Sequence, residues 1–193
     1  MNIEYIEKNT NLKVEYHSNI SSTSERAREL AEETIKKCEN DLEKIQIVIS
    51  ENQTNGKGTH GRVWHSEKGK NILMTLIFYP QKFPQELQGI TYLIAEEIKL
   101  AIQDLYNISL DIKLPNDLML KGKKVCGILT ESSIQNERVN YLLIGIGFNV
   151  NQVSFSNELE EIATSLKLEF SDIELKREDI IVKIINRVKS LVK

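Results

Sequence analysis

Three short segments of this chain hold residue types whose spacing can do chemistry. The first is Gly56-Lys-Gly-Thr-His-Gly-Arg62-Val-Trp64. Glycine lets a backbone come close to a ligand. Residues 56–70 set Lys57, Arg62, Lys68 and Lys70 against Glu67 alone. Glycine-rich backbone with local positive charge suits a phosphate or a carboxylate. The run matches the dinucleotide fingerprint G-x-G-x-x-G literally, but that fingerprint needs a helix to open at its third glycine. Here Arg62-Val-Trp-His-Ser leads into another apolar strand, so no helix start is on offer. With Val63 the run also fits a protein-kinase pattern, yet V-A-I-K, H-R-D and D-F-G are missing, as is the phosphate-loop pattern G-x-x-x-x-G-K-[ST].

The second segment joins Lys113-Leu-Pro-Asn-Asp117 to Lys124-Val-Cys-Gly-Ile-Leu129. Pro115 fixes its own φ and biases the residue before it toward extended geometry. Asn116 and Asp117 then fall at a turn between strands, pointing into a cleft. Lys121 and Lys123 read as solvated hairpin charge. Lys124 differs, because an apolar strand follows it at once; its stem is held by the sheet and its ammonium is a fixed point charge for an anion. The third segment is Leu142-Leu-Ile-Gly-Ile-Gly-Phe-Asn149. Gly145 and Gly147 keep one strand face bare, either for a close helix crossing or as a flat floor for a ligand ring, with Asn149 at its polar end.

These segments must be held by the elements around them. Residues 12–16 form a short strand. Ser22 with Glu25 fits a capping box, and Ala27, Leu30, Ala31, Thr34 and Ile35 carry a helix to about Lys37. Residues 44–50 are a β-branched strand, and 71–79 are apolar enough to be buried on both faces. Pro84 opens a long helix through Leu87, Ile90, Leu93, Ile94, Ile98 and Ile102 to about Tyr106. Residues 108–113, 118–120, 125–132 and 141–150 give four more strands, with Gly122 turning a hairpin. A last helix over 176–192 puts Ile181, Ile184, Ile185, Val188, Leu191 and Val192 on one face. The rest of 151–193 reads as connector. The alternation predicts an α/β (α+β) fold, a mixed β-sheet flanked by helices, in one domain over 1–193.

Composition narrows the function classes. Hydrophobic residues at 40% and charged residues at 27% are a globular mix and exclude wholesale disorder. A net charge of −3 argues against a general nucleic-acid binder. The longest apolar runs, 72–80 and 142–150, are about nine residues, against the ~20 a spanning helix needs. Met-Asn-Ile-Glu-Tyr shows no secretory signal, and two cysteines, Cys38 and Cys126, make no disulfide framework. The expectation is a cytoplasmic protein with reduced thiols and no membrane partner.

Together and in this order, the segments resemble the catalytic domain of biotin–protein ligases, over about residues 12–193. The marks are Ser22-Thr-Ser24 opening the first helix, Gln53, the run 56–64, Lys113-x-Pro-Asn-Asp117, Lys124-x-x-Gly-Ile-Leu129 and Gly145-Ile-Gly-Phe-Asn149. The resemblance implies a two-step ligase. Biotin's carboxylate attacks the α-phosphate of ATP, giving biotinyl-5'-AMP and pyrophosphate. A lysine ε-amine on the biotin carboxyl carrier domain of a biotin-dependent carboxylase, such as acetyl-CoA carboxylase, then attacks the anhydride and expels AMP. Mg²⁺ is implied as the ion that bridges the phosphates.

The same resemblance implies residue roles. Ser22, Thr23, Ser24 and Gln53 meet biotin's ureido head. Gly56, Lys57, Gly58 and Thr59 belong to the loop that orders over biotin and adenylate. Arg62 and Trp64 meet the phosphate and adenine regions. Lys124 contacts the biotin carboxylate and the α-phosphate, and Asp117 orients or deprotonates the incoming amine. Asn116 and Asn149 bind nucleotide or metal, while Gly127, Leu129 and Gly145 line the biotin slot. Lys124, Asp117 and Arg62 are thus the expected catalytic residues.

The chain departs from the family's pattern in four places. Thr59 stands where many members place Arg, which predicts weaker retention of the adenylate and labelling of neighbouring lysines. Leu114 replaces the usual Trp before Pro115, a packing change. The family's N-terminal winged helix and small C-terminal barrel are both expected to be lacking, so DNA binding is not expected. Two other readings stay open: a lipoate or octanoate ligase of the same fold, and a non-catalytic module that binds biotin or its adenylate. Homodimerisation through an exposed sheet edge is also open.

Overall fold

The structure is a computed structural model that describes residues 1–36, 46–80 and 82–192. A mixed sheet of seven strands organises it, in the order β1-β2-β3-β7-β6-β5-β4. The strands are β1 (Lys13–His17), β2 (Gln46–Ser50), β3 (Ile72–Phe78), β4 (Asp111–Lys113), β5 (Asp117–Leu120), β6 (Lys123–Gln135) and β7 (Arg138–Phe148). Only β1 and β2 run parallel; every other pair is antiparallel. β3 is buried at every residue, as its apolar run predicts.

The two faces are covered unequally. Helices α1 (Ile3–Thr10), α3 (Ile90–Tyr106) and α6 (Arg177–Val188) close one face over Ile47, Ile49, Ile72, Met74, Leu76, Ile144 and Ile146. On the other face α2 (Thr23–Lys36) packs Ala27 and Ala31 against Val48, Ile77, Tyr79, Tyr141 and Leu143. That second cluster stops short of Gly145, so the ends of β6 and β7 beyond it are left for something other than core. α2 begins at this boundary, and its first residues stand over the uncovered part.

Several expectations need correction. The long helix is divided: residues 84–87 make one short 3₁₀ turn, Gly89 takes φ +77°, and α3 starts only at Ile90. Leu93, one of the periodic apolar residues that mark this helix, is 45% exposed. The strand expected over 108–113 shrinks to β4. α1 was not legible, because only Ile6 and Thr10 of its eight residues are buried; Asn2 caps it by accepting the Tyr5 amide. The capping box on α2 is half formed. Ser22 Oγ accepts the Glu25 amide at 3.5 Å, but the Glu25 carboxylate turns to Ser21 Oγ and to Lys57. Gly122 does turn the β5–β6 hairpin, with Lys121 and Gly122 both at positive φ, as a type I′ turn requires.

Residues 37, 44 and 45, and with them Cys38, lie outside the described residues. Cys126 is free and buried, and burial pushes its thiol pKa well up, which leaves it inert. Among the described residues no helix is long and apolar enough to cross a membrane.

Candidate functional site

The floor of the site comes from register. Gly127 of β6 lies opposite Gly147 of β7, and Leu129 lies opposite Gly145. The bare patch expected from the glycine spacing is there, but the ring on it belongs to the chain itself. Trp64 lies so close that a Cβ at Gly147 would stand 2.5 Å from the indole, and one at Gly127 would stand 2.9 Å from it. The indole Nε1 is buried with no partner among the described residues. Lys124 Nζ lies 5.4 Å from a Trp64 ring centroid, a cation–π arrangement.

Lys124 is held along its backbone as well as at its tip. Its amide donates to the Ile162 carbonyl at 2.8 Å, and its carbonyl accepts the Thr164 amide at 2.9 Å. Pairing of β6 with β7 ends at Cys126 and Phe148, and residues 162–164 then take over as the neighbour of Lys124. At its tip the ammonium pairs with Asp117 at 2.6 Å. The region 151–175 is therefore more than the connector expected from its sequence. It carries α4 (Asn157–Glu160), the strap at 162–164 and α5 (Leu166–Glu169). The strap also accepts Asn149 Nδ2 at the Thr164 carbonyl. Asn149 Oδ1 is buried without a partner among the described residues.

The polar end lies under the start of α2. Gln53 Oε1 accepts both the Thr23 amide, at 2.7 Å, and the Thr23 hydroxyl, at 3.0 Å. Thr75, the one polar residue of β3, sits beneath them, 2.9 Å from Thr23 Oγ1 and 3.3 Å from Ser24 Oγ. Gly145 lies beside Ser24, and a Cβ there would come within 3.0 Å of its hydroxyl.

The opposite wall is the loop 53–64. Gly56 accepts the Trp64 amide and Gly58 donates to the Arg62 carbonyl, folding the loop into a narrow hairpin that brings Trp64 over the floor. A Cβ at Gly56 would lie 2.7 Å from the Trp64 carbonyl, so glycine is required there by close approach. Lys57 pairs with Glu25 of α2 at 2.9 Å. The loop's base is tied down by Arg177 of α6, which reaches Glu51 at 2.6 Å and the Asn71 carbonyl at 3.0 Å. Burial raises the Glu51 carboxyl, but Arg177, the N-terminal ammonium and the Tyr16 hydroxyl together more than offset this and hold its pKa below the ordinary value.

One cavity gathers most of the expected site residues. Thr23, Ser24, Gln53, Lys57, Gly58, Thr59, Trp64, Asn116, Lys124, Gly127, Leu129 and Gly145 all line it. Ser22, Gly56, Arg62, Asp117 and Asn149 do not. Ser22 is spent on the α2 cap, Gly56 on the loop's backbone, and Asp117 reaches the cavity only through Lys124. Arg62 is exposed and folds back on its own loop, donating to the Thr59 carbonyl and hydroxyl. Asn116 is tied into the sheet by its Nδ2, which donates to the Ile128 carbonyl at 2.9 Å. Leu114 is 69% exposed, so its expected packing role is not seen. Sequence reasoning read Gly147 as part of the bare floor, but it missed Thr75 as a site residue. A lone hydroxyl in an otherwise apolar buried strand was the available signal for Thr75. The free space is about 40 Å³, enough for a few waters at the roughly 10–15 Å³ each requires. Trp64 fills most of the slot.

Comparison with known proteins agrees with this geometry. The profile of the biotin/lipoate A/B protein ligase family matches residues 19–149. The bifunctional ligase/repressor BirA of Bacillus subtilis is 41% identical over 153 residues, covering 78% of this chain and 45% of that protein. The biotin–protein ligase of Homo sapiens is 35% identical over 111 residues, 54% of this chain and 15% of that one. The chain thus spans about half the length, or less, of these curated relatives. Among solved structures, the Aquifex aeolicus biotin protein ligase in complex with biotin and ATP superposes with a TM-score of 0.75 at 24% identity, covering 93% of this chain and 70% of that one. The Leishmania major ligase in complex with biotinyl-5-AMP gives 0.74 at 22%, covering 91% and 73%. These two likenesses are of fold.

Proposed function

Because the chain belongs to the biotin/lipoate A/B protein ligase family, we propose that it joins biotin to ATP as biotinyl-5'-AMP and passes the biotinyl group to a lysine of a biotin carboxyl carrier domain. The carrying observation is the order of groups along one cavity. Hydroxyls and the amide of Gln53 lie at one end, a glycine floor under an indole lies in the middle, and the ammonium of Lys124 lies at the other end. A ligand with a neutral polar head, an apolar body and a terminal carboxylate fits that order.

The residues supply position and charge. In the first step a carboxylate oxygen attacks the α-phosphorus and pyrophosphate leaves, so negative charge gathers on phosphoryl oxygens. Lys124, fixed at its backbone and paired with Asp117, is the cation that would meet that charge. In the second step an amine attacks the acyl carbon and AMP leaves; Asp117, paired with Lys124, is the carboxylate that would orient or deprotonate that amine. Mg²⁺ fits as an ion carried on the nucleotide. Among the described residues no three acidic, His or Cys side chains cluster to hold a metal, while the unpartnered Asn149 Oδ1 offers one hard oxygen. When bound, the ion offsets phosphate charge. The ligand enters as Trp64 and its loop lift from the floor.

Biotin-dependent exchange of labelled pyrophosphate into ATP, with Mg²⁺ and no carrier, tests this reading. Exchange is expected. Calorimetric biotin binding without exchange would favour a binding module, and exchange with lipoate or octanoate in place of biotin would move the chain to the other branch. Thr59 makes a weak lid, so released adenylate should label lysines of a bystander protein, and T59R should suppress that labelling.

A further inference from the structure

The hydrogen-bond network under α2 has only one possible direction. A backbone amide can only donate, so the Gln53 atom 2.7 Å from the Thr23 amide is its carbonyl oxygen. The Thr23 hydroxyl, 3.0 Å from that same oxygen, must also donate to it. With its proton committed, Thr23 can only accept from Thr75 at 2.9 Å. The Thr75 proton is then spent, and Ser24, 3.3 Å away, must donate to Thr75. The chain runs Ser24 to Thr75 to Thr23 to Gln53. Each hydroxyl is buried, Thr75 0% exposed, Thr23 3% and Ser24 6%, and Thr75, the middle of the chain, lies off the cavity lining, where bulk water does not compete for its proton.

We infer that Thr75 is a positioning residue that fixes the polarity of the cavity's polar end. Ser24 Oγ is left with lone pairs only and Gln53 Nε2 with protons only. Both residues line the cavity, and Gly145 leaves room in front of Ser24. One acceptor and one donor on the wall of one cavity complement a group holding N–H and C=O together, the pattern of a cyclic urea. Thr75 itself does not touch the ligand. Without its hydroxyl, Ser24 is free to donate or accept, and the site no longer demands an N–H.

The inference rests on the proposed biotin reading and deepens it. Its test is a double-mutant cycle on biotin affinity by calorimetry, with KM and kcat from pyrophosphate exchange. T75V should weaken biotin binding and raise its KM about five- to tenfold, the scale of one neutral hydrogen bond, with kcat little changed. T75S should restore both. S24A should weaken binding similarly, and adding T75V to S24A should cost nothing more. A cyclic carbamate analogue, with ring oxygen in place of one N–H, should be rejected less strongly by T75V than by the unaltered protein. Losses in T75V and S24A that multiply, or unchanged discrimination against the carbamate, would overturn the relay. Should T75V not fold, T75A runs the same cycle. If the unaltered protein fails to bind biotin at all, the functional reading falls instead, a result distinct from independent losses.

Discussion

On the strand side of the site, Lys124 is gripped by the backbone of 162–164 and by Asp117, while the glycine floor beneath it is part of the sheet. On the loop side, Lys57 pairs with Glu25 at the start of α2, and Arg62 donates to Thr59 of its own loop. The strand side costs nothing to organise when a ligand arrives, because folding has already ordered it. The loop side can exchange its present partners for a ligand's phosphate at little cost, since exposed pairs contribute little. A fixed charge for chemistry and a yielding cover for capture are thus divided between sheet and loop.

The largest expected effect tests the fixed side. K124A should slow adenylation by roughly 10²–10³, the cost of one lost charge-stabilising donor, measured by pyrophosphate exchange. A near-normal rate would break the division, because it would leave the sheet without a chemical role. Next is the loop's anchor. E51Q removes the carboxylate that Arg177 holds and should cost about 1.5–3 kcal/mol at neutral pH by urea unfolding. Since the folded Glu51 pKa lies below its ordinary value, its ionised form stabilises above that value, and the benefit is lost as pH falls through the lowered one. The gap between E51Q and the unaltered protein should therefore close in acid. A gap that stayed constant would mean the ion pair is not its source.

G147A sharpens the comparison where the two sides meet. Its Cβ would intrude on Trp64, and overpacking of this kind costs about 1–3 kcal/mol. If the loop yields as proposed, the cost should show as lost biotin affinity with little loss of stability. The smallest effect belongs to E25Q, which frees Lys57 from a pair between two roughly one-third-exposed side chains. Stability should change by less than about 1 kcal/mol in a melt. A larger loss would mean that the loop side is built more rigidly than its partners imply.

Much of this was legible in the chain, and the exceptions have physical causes. Strand periods placed β1, β2, β3, β6 and β7 within a few residues. The spacing of Gly145 and Gly147 announced a bare patch, but spacing cannot say whose ring covers a patch, and it is Trp64 that does. α1 was lost because so little of it is buried. The strap at 162–164 was lost because its work is done by backbone amides, which every residue has and no sequence pattern marks. The turn of Arg62 onto Thr59 was not legible for a related reason: a guanidinium in a loop has many acceptors within reach, and here the ones it meets are in its own turn.

What the sequence by itself determined is the set of elements and the chemistry available to them. Apolar period, turn glycines and a lysine at the head of an apolar strand are local properties, set within a few residues of chain. What only the tertiary structure decided is which groups share protons and charge. The pairing of Lys124 with Asp117, the direction of the hydroxyl chain through Thr75, and the grip of the strap all join residues distant along the chain, and distances of about 3 Å are fixed only when the sheet and its helices have packed.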